Sequence, residues 1–563
     1  MRRAVALTAP FFALLVLVSL LARPPQGAPA AVPPAKPHPA PTSHGTKTKL
    51  ATLKQAMPDL MPSVDPALAQ AEQDVEIANL LYTGLVRLNA AYRVVPAAAY
   101  RWTIGKDHQT YTFYLRKGMR FSNGDPLTAS DFAYSITRSL NPALRSTSAP
   151  TYLLDIQGAG AVLAGKSTTL SGVKVLSSDR LQIKSRWPLP SFLKELAYPT
   201  SYALDKKRLE KLNSPTDTSW YSNPVSSGPY TIKSWNPNGN MVLVPNPNYW
   251  GAPAETKIVI SFTPVPSHKQ YTFVKSHFDL AQLNAEHWRL ARLAGVRKTS
   301  ALTVDGIYMN LNKKPFSSVE VRRALTLAIP RNRVVQDTFG PTAIPFTGSV
   351  PSGEIGYDSK LKPLTYSPKS ARAALAAAHL GTGKHFPAIV LYYPTDSTDT
   401  AMSGKLAALA GAIVKAWDTN LGINASARPL AANVLLTDVQ SNSIPLYLLG
   451  WSANYPDPRD WLTGQWRSDA VNNNVHFMST TFDKLVKAAD VTWNFKRRMS
   501  LYNQAQQVLV QDAAWIPLYI PYRLEYISPS VSNLVLTGYG IMPRSGNWSS
   551  VQVTEPAKSR HNS

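Results

Sequence analysis

The chain contains no cysteine. That excludes a disulfide framework, a thiol nucleophile, any thiolate metal site and a lipid-modified cysteine anchor. Acidic residues are scarce beside basic ones, 34 against 59, which leaves a formal charge of +25. Such an excess suits nucleic acid, an anionic membrane or an anionic cell wall. The lysines and arginines are scattered, with no basic block of the kind that grips nucleic acid, so a nucleic-acid partner is not expected. Catalytic motifs are also missing: neither Gly-x-Ser-x-Gly nor His-Glu-x-x-His occurs. The ten histidines are dispersed. His268, His277 and His287 are too far apart for one helical face, and His476 has no His or Glu within a turn, so neither a metal site nor a cofactor is expected. Long apolar runs are absent beyond the N-terminus.

Met1-Arg2-Arg3 is followed by an uncharged run, Ala4 to Ala22, holding Phe11-Phe12-Ala13-Leu14-Leu15. This is a secretory signal pattern over residues 1–30, with a membrane anchor as the alternative. Residues 31–47 are Pro/Ala-rich and read as an extended linker. At 563 residues the remaining chain is too long for one core and requires two or three lobes.

Several local patterns are specific. Thr110-Tyr111-Thr112-Phe113-Tyr114-Leu115 alternates as a strand, and a turn follows at Asn123-Gly124. Thr128-Ala129-Ser130-Asp131 then has capping-box spacing before a helix that places Phe132, Ile136 and Leu140 on one face. Gly228-Pro229-Tyr230 to Asn246 reads as a hairpin around Asn236–Asn240. After the strand Ile307–Asn312, Ser317-Ser318-Val319-Glu320 reads as a capping box. Ile444 to Leu449 reads as a buried strand running into Gly450-Trp451-Ser452-Ala453-Asn454-Tyr455-Pro456-Asp457-Pro458, a turn rich in aromatic and amide groups.

Taken in order, these stretches resemble the family 5 extracellular solute-binding proteins, the peptide/nickel receptors of ABC importers. The run Tyr111 to Phe132 resembles their "Tyr-x-Phe-x-Leu-Arg … Phe-Ser-x-Gly-x-Pro-Leu-Thr-Ala-x-Asp-Phe" signature. Gly450 to Pro458 resembles their Gly-Trp-x-x-Asp-Tyr-x-x-Pro segment. The resemblance extends from about residue 60 to residue 525.

The resemblance implies an α/β, periplasmic-binding-protein-like type II fold: two lobes with a hinge, and an extra domain inserted in lobe one. Lobe one is expected from 48–86, 222–306 and 516–563 with the insertion at 87–221, and lobe two from 307–515. The implied protein is an exported monomer, periplasmic or on the outer face of the cytoplasmic membrane. It captures a peptide or other small solute and delivers it to a membrane permease without altering it. The implied cleft residues are Trp451, Ser452, Asn454 and Tyr152, together with a strand segment Gln70, Ala71 and Glu72. Asn454 stands where the family carries an aspartate for the ligand's α-ammonium. A neutral amide cannot neutralise a buried ammonium, so the resemblance implies that Asn454→Asp improves free-amine peptide binding about tenfold. An oligosaccharide is the alternative ligand. A carbohydrate hydrolase using Asp457 and Asp460 is the alternative of another class.

Overall fold

The computed structural model describes residues 50–57, 63–263, 270–380, 383–396 and 400–554. The expected signal segment 1–30, the linker 31–47 and His268 lie outside the described residues.

The chain is organised around one strand, Trp515–Ile527, which is 13 residues long where strands average about five or six. Almost all of it is buried. A strand buried on both faces must be apolar nearly throughout, and Trp-Ile-Pro-Leu-Tyr-Ile meets that demand over its first half. That half pairs antiparallel with Thr303–Met309, which in turn pairs with Leu446–Ser452. Ile389–Thr395 and Ala425–Ala431 complete this side. The second half pairs with Leu280–Leu283 and Val296–Ser300. From Leu280–Leu283 the sheet continues through Ala51–Met57, Thr256–Phe262 and the hairpin Asn240–Pro245 with Tyr230–Trp235.

One twelve-stranded sheet therefore carries two lobes joined through a shared strand. Each lobe has its own apolar core: Ile307, Leu325, Trp417 and Ile516 in one, Leu53, Leu80, Ile258 and Leu280 in the other. The expected boundaries 306/307 and 515/516 fall inside strands. Thr303–Met309 and the front of the shared strand pair with each other, whereas Val296–Ser300 pairs with the back of that strand.

A separate four-stranded sheet, ordered Ala99–Ile104, Thr110–Leu115, Arg180–Lys184, Val173–Ser177, forms the inserted domain. Its helix Ala129–Ser139 starts as its spacing predicts, with Thr128 and Asp131 capping reciprocally, and buries Phe132 and Ile136. The capping box at Ser317–Glu320 is displaced by one residue. Ser318 is the N-cap and accepts from the Val321 amide, which leaves Glu320 to pair with Arg323 at 2.7 Å. No helix among the described residues is long and apolar enough to cross a membrane.

Candidate functional site

A cavity of about 430 Å³ lies where the two lobes and the inserted domain meet, within the roughly 300–1,000 Å³ typical of small-molecule sites. One wall is the helix Glu72–Leu81 with the strand Ala51–Met57, contributing Gln55, Glu72, Glu76 and Asn79. The inserted domain adds Tyr152, Lys194, Tyr198 and Tyr202. The far lobe adds Ser452 to Pro456, and the shared strand adds Arg523 and Glu525. The hairpin Leu534–Thr537 with Gly540–Pro543 brings Tyr539, Ile541 and Met542, and Trp548 follows it.

Tyr152 stacks on Tyr198 with ring centroids 3.5 Å apart, and its hydroxyl donates to the Asn454 carbonyl at 3.0 Å. Tyr198 in turn donates to the Ala69 carbonyl at 2.9 Å. Two aromatic rings thus tie the inserted domain to both lobes beside the cavity.

Six of the seven residues expected at the cleft line this cavity: Gln70, Ala71, Glu72, Tyr152, Ser452 and Asn454. Three of them differ from expectation in detail. Gln70–Glu72 is not a strand. Gln70 and Ala71 spend their backbone N–H groups on the Asp74 carboxylate, at 3.0 and 2.9 Å, and Glu72 opens the helix. Trp451, the seventh, does not line the cavity. It sits on Leu446–Ser452 opposite Val304 and packs against the cluster containing Tyr308, Tyr447 and Trp461. Strand alternation turns Ser452 to the other side, where its hydroxyl meets Thr303 at 2.8 Å. Gly450 before it is required by packing: a Cβ there would lie 2.5 Å from the Asp305 carboxylate across the ladder.

Asn454 carries its own counterpart. Its backbone N–H and its side-chain amide donate to the two oxygens of Asp460, at 2.8 and 2.7 Å. The carboxylate at this turn is therefore Asp460, buried and pushed up to about 7 by that burial. Asp457 caps the helix Pro458–Trp466 and meets Arg498 at 2.6 Å and Lys194 at 3.4 Å. Burial opposes its ionisation, but Arg498 and Lys194 hold it below the usual carboxylate range. Neither aspartate lines the cavity, so the acid–base pair of the hydrolase alternative is not assembled there.

Gly160 to Ser167 spells Gly-x-x-x-x-Gly-Lys-Ser, the letters of a phosphate-binding loop. The context is wrong for one. Ala159–Leu163 is a short helix, and the amides of Ala164, Gly165, Lys166 and Ser167 all donate to carbonyls of residues 160–162. None of these four is left to cradle a phosphate.

Gln55, Glu76, Asn79, Tyr198, Arg523, Glu525, Tyr539 and Trp548 were not legible as site residues from the sequence. Arg523 and Glu525 left a signal, since two charges at alternate positions of a buried strand require a polar wall. Glu72 and Glu76 left a weaker one, as like charges one helical turn apart.

Two lobes, a shared strand and a polar–aromatic cavity between them are the architecture of a solute-binding protein. The chain belongs to the bacterial extracellular solute-binding proteins, family 5, whose middle-region model matches residues 93–473. It is 29% identical over 493 residues to the periplasmic oligopeptide-binding protein OppA of Salmonella typhimurium, covering 83% of this chain and 87% of that one. It is 27% identical over 486 residues to the probable deoxycholate-binding periplasmic protein YgiS of Escherichia coli, covering 84% and 89%. Among solved structures, the murein tripeptide binding protein MppA of Escherichia coli superposes with a TM-score of 0.73 at 24% identity, covering 90% of this chain and 100% of that one.

Proposed function

We propose that the protein is an exported receptor that captures short peptides in the interlobe cavity and hands them, unaltered, to an ABC-type membrane permease. The observation that carries this reading is the cavity itself. It is bounded by three separate parts of the chain, and its wall mixes tyrosine faces with amides, carboxylates and the cations Arg87, Lys194 and Arg523. That mixture suits a ligand with alternating polar backbone and varied side chains.

In this reading Tyr152, Ser452, Asn454, Gln70, Ala71 and Glu72 face the peptide, and Trp451 supports the strand end from behind. The segments Ala301-Leu302 and Ile520–Tyr522, where strand pairing passes from one side of the sheet to the other, act as the hinge, with lobe one drawn from 50–86, 222–301 and 522–554, the insertion at 87–221, and lobe two between. The engagement of Asp457 and Asp460 with protein partners favours binding over hydrolysis.

Thermal unfolding in the presence of blocked and free tri- to pentapeptides, chito- or xylo-oligosaccharides and a bile acid tests the ligand class. A ligand that binds the folded state at 100 times its Kd stabilises by about 2.7 kcal/mol. Stabilisation by the peptides alone supports the reading. Stabilisation by a sugar or bile acid alone replaces it with another ligand of the same cavity.

A further inference from the structure

We propose that the cavity seats a cationic group of its ligand, an ammonium or guanidinium, against Glu76, with Gln55, Glu72 and Glu525 around it. This rests on the peptide-receptor reading and names the chemistry that the receptor selects.

Three carboxylates of the cavity wall, Glu72, Glu76 and Glu525, lie within electrostatic reach of one another. Glu72 and Glu76 project from one helix, and Glu525 from the shared strand, into the same cavity. Arg523 is the guanidinium among them, and it is already committed. It donates to Glu525 at 2.7 Å and to Glu72 on its other side. Among the described residues no cation pairs directly with Glu76. Its partner is neutral: the Gln55 amide donates to it at 2.8 Å. Arg87 and Lys194 also line the cavity, Lys194 held by Asp457, but among the described residues neither pairs with these three carboxylates, so Glu76 stands without a cation of its own.

Gln55 supplies a second, independent observation. It is 5% exposed, lies on the cavity wall, and its Oε1 has no hydrogen-bond partner among the described residues. A buried carbonyl left without a donor has lost its hydration with nothing in exchange. An ammonium brings three N–H donors and no acceptor, which fits a free carbonyl beside an unpaired carboxylate. An anionic group fits less well at this wall, where the Glu72, Glu76 and Glu525 carboxyls already supply acceptors.

The surrounding backbone is built to admit this cluster. Gly540 has φ of +108°, and a Cβ there would collide with the Glu72 carboxylate. Only glycine both adopts that conformation readily and leaves the carboxylate its place.

The protonation of Glu76 agrees with the geometry. Burial pushes it up to about 8; Gln55 and Arg523 pull it down, and Glu72 and Glu525 push it further up. At pH 7 the empty cavity thus holds a proton where the bound cation would sit. A cation that binds there favours the carboxylate and expels that proton. Affinity for a lysine or arginine side chain then rises with pH up to about 8 and levels off above it, whereas for a peptide's terminal ammonium, which itself loses its proton near 8, it passes through a maximum and falls.

The test is isothermal titration of the full chain with three tetrapeptides of one backbone: N-acetylated and amidated with a central lysine, the same with norleucine, and a norleucine peptide with a free N-terminus. On the wild type, the lysine peptide, the free-amine peptide or both bind at least about tenfold tighter than the blocked norleucine peptide. Which of the two does so identifies whether a side chain or the peptide terminus supplies the cation. At pH 7, titrations in buffers of different ionisation enthalpy report proton release with the preferred peptide and none with blocked norleucine. Glu76→Gln reduces the preference to within about threefold and abolishes the proton release; Glu72→Gln serves if Glu76→Gln does not fold. If all three peptides bind the wild type equally, or the preference survives both substitutions, the inference is overturned while the peptide reading stands. If none of the three binds, the peptide reading fails and the inference with it.

Discussion

Arg459 reaches from the helix Pro458–Trp466 in one lobe to Asp155 in the inserted domain at 2.6 Å, and both side chains are mostly buried. The same guanidinium meets Glu195 at 3.0 Å. Lys194 adds a contact in the opposite sense, pairing with Asp457 at 3.4 Å and donating to the Pro456 carbonyl. A buried ionic seam thus runs between the inserted domain and the far lobe, directly beside the cavity.

Removing one member of such a buried pair costs about 3–5 kcal/mol, because the remaining charge is stranded. Arg459→Gln is expected to lose roughly that much at pH 8. Burial pushes Glu195 up, with Arg459 pulling against it. Once protonated, Glu195 has less to lose, so the cost shrinks at pH 5 toward that of stranding Asp155. Chemical denaturation at the two pH values checks this, and an equal loss at both contradicts it.

Asn454→Asp no longer predicts a gain in affinity. The amide points at Asp460, so the substitution places two carboxylates in hydrogen-bond contact, and one must hold a proton. The variant is expected to be about 1–3 kcal/mol less stable than the wild type at pH 8. A carboxyl raised in the folded state stabilises at low pH, and that contribution is lost as pH rises through its folded pKa. With Asp460 already at about 7, the deficit should largely close below pH 5. A thermal-unfolding series from pH 4.5 to 8.5 reads it directly.

Asp305 gives a cleaner pH test. Burial alone pushes it up to about 7, and one of its oxygens is buried without a partner among the described residues. By the same sign, it stabilises most below pH 4 and contributes progressively less up to pH 7. Asp305→Asn should flatten the wild-type decline over that interval by up to about 1.4 kcal/mol per pH unit. Unchanged slopes would mean that Asp305 does not hold its proton in the folded state.

The strands, caps and hairpins that identify the family were legible because they depend on local order: Tyr111 to Phe132 encodes its strand, turn and helix within one continuous run. The cavity was legible only where it touches such a run, as at Ser452 and Asn454. Glu76, Arg523 and Glu525 come together across 451 residues of chain in the Arg523–Glu72 contact alone, a distance no periodicity spans. Trp451 shows the opposite error. The motif is where it was expected, but strand alternation directs its ring into the lobe core. The Asn454–Asp460 pairing is not legible, because Asp460 lies beyond the turn and the pattern gives no sign that the two side chains face each other.

A receptor binds its peptide in this cavity and leaves it intact. Calorimetric titration of the wild type and of Ser452→Trp, which fills the cavity from the strand end, followed by mass spectrometry of the recovered peptide, examines both halves of that behaviour. Saturable one-to-one binding to the wild type, a loss of at least about tenfold in the variant and a peptide of unchanged mass are expected. Equal binding by both proteins, or recovery of cleaved peptide, would contradict it.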